Sequence, residues 1–339
     1  MRAPAFWAQS EPSLAAHLLR PAAALYGWIA GRRMRRAGQR AELPVVCVGN
    51  FTVGGTGKTP AALAIARMLI AIGEKPAFLT RGYGGRLTGP VRVDPGAHGP
   101  ADVGDEPLLL AHEAPTIVAR DRPAGARACA EAVATAIVMD DGLQNPALRK
   151  DLAFAVVDGA AGVGNGRCLP AGPLRAPLAA QWAAVDAVIV VGGGSAGDAL
   201  AEEALRRGKL VLRASLEPDA QPAMRLSGAR VLAFAGIGRP RKFFETLKEC
   251  GAIVAAQRAF ADHHPYSAGE IRALCAEARD KALLPVTTEK DLVRIAALGA
   301  ELEDDIATLP VRLAFADEGP LRALLAQLLA RRQGIGLPS

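Results

Sequence analysis

The sequence is poor in cysteine, in aromatic residues and in long apolar runs, and each shortage excludes a class of protein. Its 5 cysteines are odd in number and form no Cys-x-x-Cys pair, which argues against a disulfide framework or a zinc site and favours a reducing compartment. Aromatic residues make up 4% of the chain although 50% of it is hydrophobic, a composition that favours alternating strands and helices over an all-β sandwich. No secretory signal pattern opens the chain. A length of 339 residues suits two domains.

The basic excess is mild, at a net charge of +6, but it clusters near the start of the chain. Leu14, Leu18, Leu25 and Trp28 recur at helical spacing, and five arginines follow: Arg32, Arg33, Arg35, Arg36 and Arg40. The longest uncharged run, 21–31, is about half of the ~20 residues that a membrane-spanning helix needs. The pattern predicts that residues 1–40 form an amphipathic segment docked on an anionic membrane surface. The alternative is a helix packed on the protein body with a solvated basic end.

A strand–loop–helix pattern begins at Leu43 and predicts an α/β fold with a doubly wound, mostly parallel sheet in a P-loop domain over 41–220. Its predicted strands are 43–48, 77–80, 116–119, 136–139, 154–157 and 187–191. A second, smaller α/β domain is expected over 221–339. We assign it strands at 231–235, 253–256, 284–287 and 311–315 and a last helix at 319–332.

The strongest motif lies between the first predicted strand and the first predicted helix. It consists of Thr52, Val53, Gly54, Gly55, Thr56, Gly57, Lys58 and Thr59. The glycines let backbone amides approach phosphate oxygens, Lys58 can reach the β- and γ-phosphates, and Thr59 can bind magnesium. Thr52 stands where the consensus has its first glycine. Val53 stands where partitioning-type ATPases carry an extra lysine, which argues against that branch.

A second motif follows the predicted strand 136–139, which ends in Asp140 and Asp141. The carboxyl end of this strand should lie beside the phosphate loop, where the two carboxylates can hold magnesium directly or through water. Strand-end aspartates are also common as turn or helix caps, and this is the alternative interpretation.

Two further segments give the sequence a family resemblance. With the phosphate loop and Asp-Asp-Gly-Leu-Gln at 140–144, the segments Gly-Asn-Gly-Arg-Cys-Leu-Pro-Ala-Gly-Pro-Leu-Arg at 164–175 and Phe-Ala-Asp-His-His-Pro-Tyr at 260–266 resemble the tetraacyldisaccharide 4'-kinases of lipid A biosynthesis. The resemblance covers nearly the whole chain, and that family also has Ser or Thr at the position of Thr52. It implies two α/β/α domains and an N-terminal membrane-docking helix.

The resemblance implies a reaction and a location. The γ-phosphoryl group of ATP, with Mg²⁺, would pass to the 4'-hydroxyl of a tetraacylated glucosamine disaccharide 1-phosphate, forming lipid IVA for lipopolysaccharide. The enzyme would act as a peripheral protein at the cytoplasmic face of the bacterial inner membrane.

The resemblance also implies catalytic roles. Asp105 would take the proton of the acceptor hydroxyl, although without the resemblance it would be interpreted as a helix cap. His263 would pair with Asp105 as a neutral imidazole, orient it and raise its basicity on domain closure, with His264 as the competitor. Lys58 would hold phosphate, and Gln144 would support the water shell of magnesium.

Substrate contacts are expected from seven residues: Arg81, Tyr83, Arg120, Arg122, Asn165, Arg167 and Arg175. Of Arg120 and Arg122, one should meet substrate phosphate; solvated helix-start charges are the alternative. Ala176 and Asn145 depart from the usual family residues, which puts any acidic role at position 176 in doubt.

Other functions remain as alternatives. The main one is a soluble P-loop kinase or NTPase acting on a small polar metabolite. A GTPase is disfavoured because no Asn-Lys-x-Asp tetrad is present. Nucleic acid is not an expected partner, since the basic residues cluster at the amphipathic start rather than along a groove. The sequence fixes no oligomeric state and is compatible with a monomer.

Overall fold

The computed structural model describes residues 4–8, 13–302 and 304–333, so parts of the predicted segments 1–40 and 221–339 lie outside the described residues. Thirteen strands form two sheets within this part of the chain. The strands are β1 Val45–Gly49, β2 Pro76–Thr80, β3 Val91–Arg92, β4 Thr116–Val118, β5 Ala136–Asp140, β6 Leu152–Asp158, β7 Ala187–Val191, β8 Leu210–Pro218, β9 Arg230–Ala235, β10 Ile253–Ala259, β11 Leu284–Thr287, β12 Ala307–Thr308 and β13 Val311–Phe315.

Helices connect most of these strands. They are α1 Leu14–Leu18, α2 Arg20–Met34, α3 Lys58–Ala71, α4 Pro100–Val103, α5 Asp105–Ala111, α6 Arg122–Glu131, α7 Leu178–Trp182, α8 Ser195–Arg206, α9 Ala220–Leu226, α10 Pro240–Glu249, α11 Ala268–Asp280, α12 Glu289–Ala296 and α13 Gly319–Gln333. Short 3₁₀ turns cover Ala5–Trp7 and Ala300–Leu302.

The larger sheet has nine strands in the order β13-β8-β7-β6-β1-β5-β2-β4-β3, with β1 at its centre. All its strand pairs are parallel except those of the two edge strands, β3 and β13. Strand β1 is a fully buried apolar run, because helices cover both faces of a parallel sheet. The prediction of an α/β fold with a large, mostly parallel sheet is confirmed.

The smaller sheet has four parallel strands in the order β10-β9-β11-β12. The chain enters it through α9, directly after β8 has ended in the larger sheet. Helix α10 packs on one side through Phe243, Phe244 and Leu247, and helix α11 on the other through Ile271 and Leu274. The smaller sheet is therefore separate from the larger one and has its own two apolar layers.

The end of the chain differs from the prediction, which assigned everything from 221 onward to the second domain. Strand β13 pairs antiparallel with β8 at the edge of the larger sheet, and Leu313 lies opposite Leu216. Leu321, Leu325 and Leu328 of α13 pack into the same apolar layer as helix α3. The chain thus returns to the first unit, because these leucines complete the cover over that face of the sheet.

The N-terminal helices dock on the first unit through small residues. Gly27 and Gly31 of α2 lie against Pro177, and the backbone at Gly27 also approaches Cys168. The large apolar residues point the other way: Leu18, Leu25 and Trp28 are 74%, 60% and 62% exposed. Helix α2 therefore buries its small residues and exposes its large ones. In the described part of the chain, no helix is both long enough and apolar enough to cross a membrane.

We expect the returning helix to be a stability determinant of the first unit. Leu325 is fully buried, so Leu325→Ala should lower the free energy of unfolding by about 2–5 kcal/mol. Chemical denaturation measures this loss. Leu205→Ala is the matched control, because Leu205 is 63% exposed on α8 and its truncation should cost little. Equal effects of the two changes would contradict the assignment of α13 to this core.

Candidate active site

The phosphate-loop motif forms the connection between the central strand β1 and helix α3. Gly54 and Gly57 have φ values of +111° and +90°, so the loop needs glycine at these two positions. Lys58 and Thr59 are the first two residues of α3, and Thr59 is buried. The loop therefore ends at the N-terminus of a 14-residue helix, where backbone N–H groups and the helix dipole favour an anion.

A second loop, 164–175, holds the phosphate loop in place. The Val53 N–H donates to the Pro173 carbonyl at 2.9 Å, and the Arg175 N–H donates to the Phe51 carbonyl at 3.0 Å. The Arg175 guanidinium also donates through Nε to the Thr52 carbonyl at 3.1 Å. Thr52 thus lies in a short antiparallel bridge with this second loop rather than in a free turn.

Asp140 is the last residue of β5, the strand next to β1, and Asp141 follows it directly. The Asp141 N–H donates to the Val48 carbonyl at 2.9 Å, which fixes the acidic pair beside the start of the phosphate loop. Burial, together with the charges of Glu106 and Asp141, raises the pKa of Asp140 to about 7. Burial opposes ionisation of Asp141 as well, but the charges of Lys58 and Arg175 outweigh it and lower that pKa.

Several buried polar atoms at this point have no partner in the described residues. They are Asn50 Oδ1, Thr56 Oγ1 and Asp140 Oδ1. Buried polar atoms normally have partners, so these three indicate a polar or charged group that belongs here. No group of three or more His, Cys, Asp or Glu side chains within the described residues could hold a metal ion alone. This agrees with magnesium, which is usually held by one or two carboxylates with phosphate oxygens and water.

Gln144 lies next to this site, but its amide is engaged in the scaffold. Its Nε2 donates to the Asn50 carbonyl and to Gln181 Oε1, both at 2.7 Å. Gln181, fully buried, donates in turn to the carbonyls of Phe51 and Ala176 at 3.1 and 2.8 Å. These bonds tie the phosphate loop, the segment after β5 and helix α7 together.

Asp105 is the first residue of α5 and is 5% exposed. Gly104 precedes it with a φ of +92°, and a Cβ there would lie 2.4 Å from the Tyr83 carbonyl oxygen. A side chain at position 104 is therefore excluded, and this close approach brings the loop around Tyr83 beside Asp105. The Tyr83 ring meets the His263 ring edge-on at a centroid distance of 5.8 Å.

Asp105 contacts two basic side chains of the second unit through the same oxygen. His263 Nδ1 lies 3.0 Å and Arg294 Nε 3.1 Å from Asp105 Oδ2, while the Glu106 N–H donates to Oδ1 at 3.0 Å. Burial would raise the pKa of Asp105, but the hydrogen bond and charge of His263, with Lys290 and Arg294, lower it to about 2. The same hydrogen bond to Asp105 raises the pKa of His263.

The expectation that His263 would raise the basicity of Asp105 is wrong for this arrangement. A cation or hydrogen-bond donor at a carboxylate favours its ionised form, which makes it a weaker base. His264, the competing histidine, instead lies 3.1 Å from Glu270 Oε1 and stacks on Phe260 at a centroid distance of 4.7 Å. The structure therefore brings His263 to Asp105 and gives His264 a packing position within the second unit.

Two more ion pairs cross between the units. Lys290 Nζ lies 2.6 Å from Glu106 Oε1, and Arg239 pairs with Asp158 at the end of β6. Burial opposes the charge on Lys290, but Glu106 outweighs it and raises the pKa of the lysine. In these pairs beside Asp105 and Asp158 the acid belongs to the first unit and the base to the second, whereas Arg312 and Asp219 pair with the opposite polarity where the chain passes between the units.

The predicted substrate arginines are placed differently from one another. Arg122 is 2% exposed and donates to the Ala119 carbonyl at 2.6 Å, so it is not a solvated helix-start charge. Burial lowers the pKa of Arg122, while the charges of Asp141 and Asp140 oppose that shift. Arg120 lies exposed, whereas Arg175 Nη1 contacts both oxygens of Asp141 at 2.9 and 3.0 Å.

Asn165 and Arg167 lie at the junction with the N-terminal helices. The Asn165 amide donates to the carbonyls of Phe6 and Ala171, at 3.2 and 2.9 Å, and Arg167 Nη1 donates to the Ala16 carbonyl at 3.3 Å. These contacts give both side chains a positioning role that the sequence did not indicate.

Four residues at the site were not among the predicted functional residues. They are Glu106, Gln181, Lys290 and Arg294. Lys290 and Arg294 have no local signal, because each meets its partner across a separation of more than 180 residues. An Asp-x-x-Arg spacing at 291–294 was visible, but it is ordinary on a helix.

Comparisons with known proteins agree with this arrangement. A sequence profile described as tetraacyldisaccharide-1-P 4'-kinase matches residues 15–330. The tetraacyldisaccharide 4'-kinase of Methylobacterium sp. (strain 4-46) is 60% identical over 98% of this chain and all of that protein. The tetraacyldisaccharide 4'-kinase of Rhodopseudomonas palustris (strain ATCC BAA-98 / CGA009) is 52% identical over 97% of this chain and 96% of that protein.

A solved structure shares the fold. The crystal structure of LpxK from Aquifex aeolicus in complex with ATP superimposes with a TM-score of 0.73, covering 93% of this chain and all of that one. At 24% identity this similarity supports the fold alone. The family profile and the close relatives extend over nearly the full length, and the chain therefore belongs to the tetraacyldisaccharide-1-P 4'-kinase family.

Proposed function

We propose that this protein transfers the γ-phosphoryl group of ATP to the 4'-hydroxyl of a tetraacylated glucosamine disaccharide 1-phosphate, forming lipid IVA in lipid A biosynthesis. The observation that carries the proposal is a phosphate loop at the end of β1 together with a buried carboxylate, Asp105, that the opposite α/β unit holds. Burial opposes ionisation of the neighbouring Glu106, but the charges of Lys290 and of Lys58 in the phosphate loop lower its pKa. A phosphate donor and a proton acceptor can thus meet at one edge of the sheet.

The phosphate loop is assigned to ATP. Residues 52–57 offer backbone amides to phosphate oxygens, Lys58 neutralises β- and γ-phosphate charge, and Thr59 with Asp140 and Asp141 would hold magnesium. Magnesium supplies charge neutralisation on the transferring phosphate when it is bound. Gln144 supports this region by fixing the Asn50 carbonyl, and its remaining amide oxygen is oriented by those bonds.

Asp105 is assigned to the acceptor hydroxyl. A carboxylate with a pKa of about 2 is ionised at neutral pH but is a weak base. Phosphoryl transfer suits such a group, because its transition state is loose and the hydroxyl becomes acidic only as its oxygen binds phosphorus. Asp105 would therefore orient the hydroxyl first and accept its proton late, and His263 would hold the carboxylate for that step.

The acceptor is assigned to the space between the two units. Arg81 and Arg120 are exposed and can meet a substrate phosphate, whereas Arg122 is 2% exposed. Tyr83 is 71% exposed beside His263. We propose a first unit of residues 41–218 with 311–333 and a second of 219–310, which close on each other around this space.

The N-terminal helices are assigned to the membrane surface. Leu14, Leu18, Leu25 and Trp28 form an exposed apolar face, and all five arginines of 32–40 are exposed beyond it. An apolar face with adjacent arginines favours an interfacial position on anionic lipid. Acyl chains of the acceptor lie in the same layer, which favours a peripheral enzyme at the cytoplasmic face of the inner membrane.

Lipid kinase activity is tested with the purified full chain, ATP, Mg²⁺ and the tetraacylated disaccharide 1-phosphate in mixed micelles. We expect a bis-phosphorylated product, and Lys58→Ala should lower kcat by about 10²–10³-fold. Lys75→Ala, at an exposed lysine, is the matched control. No product in a detergent that supports a relative's activity would reject the proposal. Equal turnover of a water-soluble disaccharide would favour the kinase of a polar metabolite.

Asp105→Ala should lower kcat by about 10²–10⁴-fold, because it removes the acceptor of the hydroxyl proton. The dissociation constant for ATP, measured by calorimetry, should change little, since Asp105 lies on α5 and not on the phosphate loop. Near-normal turnover would rule out this role. A matching loss of ATP affinity would show instead that the change disrupts the nucleotide site.

Membrane docking is tested on the exposed face rather than by truncation, because Gly27 and Gly31 are buried against the protein. The triple change Leu18→Ser, Leu25→Ser, Trp28→Ser should reduce binding to anionic vesicles by at least about tenfold, since each side chain contributes ~1–2 kcal/mol of apolar burial. Met224→Ser is the matched control, at an apolar residue 76% exposed on α9. Unchanged sedimentation with vesicles would mean that another surface binds.

A further inference from the structure

Arg294 shares with His263 the same oxygen of Asp105, but nothing in the proposed reaction gives it a role. It lies on α12 in the second unit and is 8% exposed. Its Nε donates to Asp105 Oδ2 at 3.1 Å across a separation of 189 residues. A buried arginine needs carboxylate partners, and Arg294 has one in its own unit, Asp291, and a second, Asp105, in the other unit.

Hydrogen bonds within the second unit fix the orientation of the Arg294 side chain. Its Nη1 donates to the Gly236 carbonyl and to Asp291 Oδ1, both at 3.0 Å. Asp291 is fully buried and accepts three further hydrogen bonds: from the Gly236 N–H and the Tyr266 hydroxyl at 3.0 Å each, and from the Thr288 hydroxyl at 2.6 Å. The guanidinium is therefore a fixed donor rather than a flexible one.

The same backbone residue also orients His263. The His263 N–H donates to the Gly236 carbonyl at 3.0 Å, the oxygen that accepts from Arg294. The two cations that meet Asp105 Oδ2 are thus held relative to each other by Gly236. A change at Arg294 should consequently affect the geometry of the whole carboxylate and not one contact alone.

We propose that Arg294 is a positioning residue that, with His263, holds Asp105 Oδ2 and thereby directs Oδ1 to the acceptor hydroxyl. Among the described residues, Oδ1 accepts one hydrogen bond, from the Glu106 N–H, so a lone pair remains for a hydroxyl. Oδ2 already accepts from two cationic groups. This inference rests on the proposed function, and it names the oxygen of Asp105 that receives the proton.

The charges facing Asp105 set the sign of the expected change. They are His263, Arg294 and Lys290 from the second unit, with Glu106 next to it on α5. Removing Arg294 removes a cation and a hydrogen bond from the ionised carboxylate, so the pKa of Asp105 should rise. The same change leaves His263 as the one basic side chain on Asp105 Oδ2 and removes a positive charge near the imidazole. The pKa of His263 should therefore rise as well.

The kinetic test compares Arg294→Met, Arg294→Lys and the matched control Arg279→Met, at an exposed arginine on α11. Arg294→Met should lower kcat by roughly 10- to 100-fold, part of the ~10²–10⁴-fold that a positioned base supplies, with the KM for ATP nearly unchanged. In a plot of kcat against pH, the acid limb should move to higher pH, because the pKa of Asp105 rises. Arg294→Lys should restore part of kcat, because lysine supplies the positive charge but not the planar guanidinium that donates to two partners.

A second measurement does not depend on turnover. The protein has 5 histidines, and His263→Gln identifies the His263 resonance in an NMR titration. An increased pKa of His263 in Arg294→Met supports the proposal. An unchanged pKa with unchanged kcat overturns it, and so does a fall towards the ordinary value, which would mean that Arg294 only keeps the units together. If the wild-type chain phosphorylates no lipid, the proposed function fails while this titration still decides the role of Arg294.

Discussion

One oxygen of one carboxylate connects the two α/β units at the site where chemistry is proposed. Asp105 belongs to the first unit, and both cations on its Oδ2 belong to the second. The pairs Glu106–Lys290 and Asp158–Arg239 have the same polarity, with the acid always on the first unit. Such pairs form only where the units are close, so the basic residues that surround Asp105 are supplied by the contact between the units. Its depressed pKa has the same origin.

The exposed apolar face and the phosphate loop are connected through a short stretch of chain. Asn165 and Arg167 bind the N-terminal helices, and Pro173 and Arg175 of the same loop bind the backbone of the phosphate loop. Loop 164–175 therefore couples the orientation of α2 to that of the nucleotide site. This explains why α2 buries glycines: close backbone approach to Pro177 fixes the helix without using its large apolar side chains. Those side chains then remain exposed.

The fold and part of the site could be predicted from the sequence, for identifiable physical reasons. Short continuous apolar runs in the sequence indicate buried parallel strands, and the predicted strand 187–191 coincides with β7. The phosphate loop and Asp140 were predictable because both follow apolar strands directly. Strand β13 was assigned to the wrong unit, since an apolar run does not specify which sheet edge it joins. Lys290 and Arg294 could not be predicted, because their partners are set by how two units meet.

The acids at the site differ in whether a cation is paired with them. Asp141 is paired with Arg175, Asp105 with His263 and Arg294, Glu106 with Lys290, and Asp158 with Arg239. Within the described residues, Asp140 has no such cation, and its Oδ1 is buried without a hydrogen-bond partner. A buried carboxylate without a counter-charge is costly to keep ionised. A divalent cation beside the phosphate loop would supply that charge, so among these acids Asp140 has the strongest physical reason to bind it.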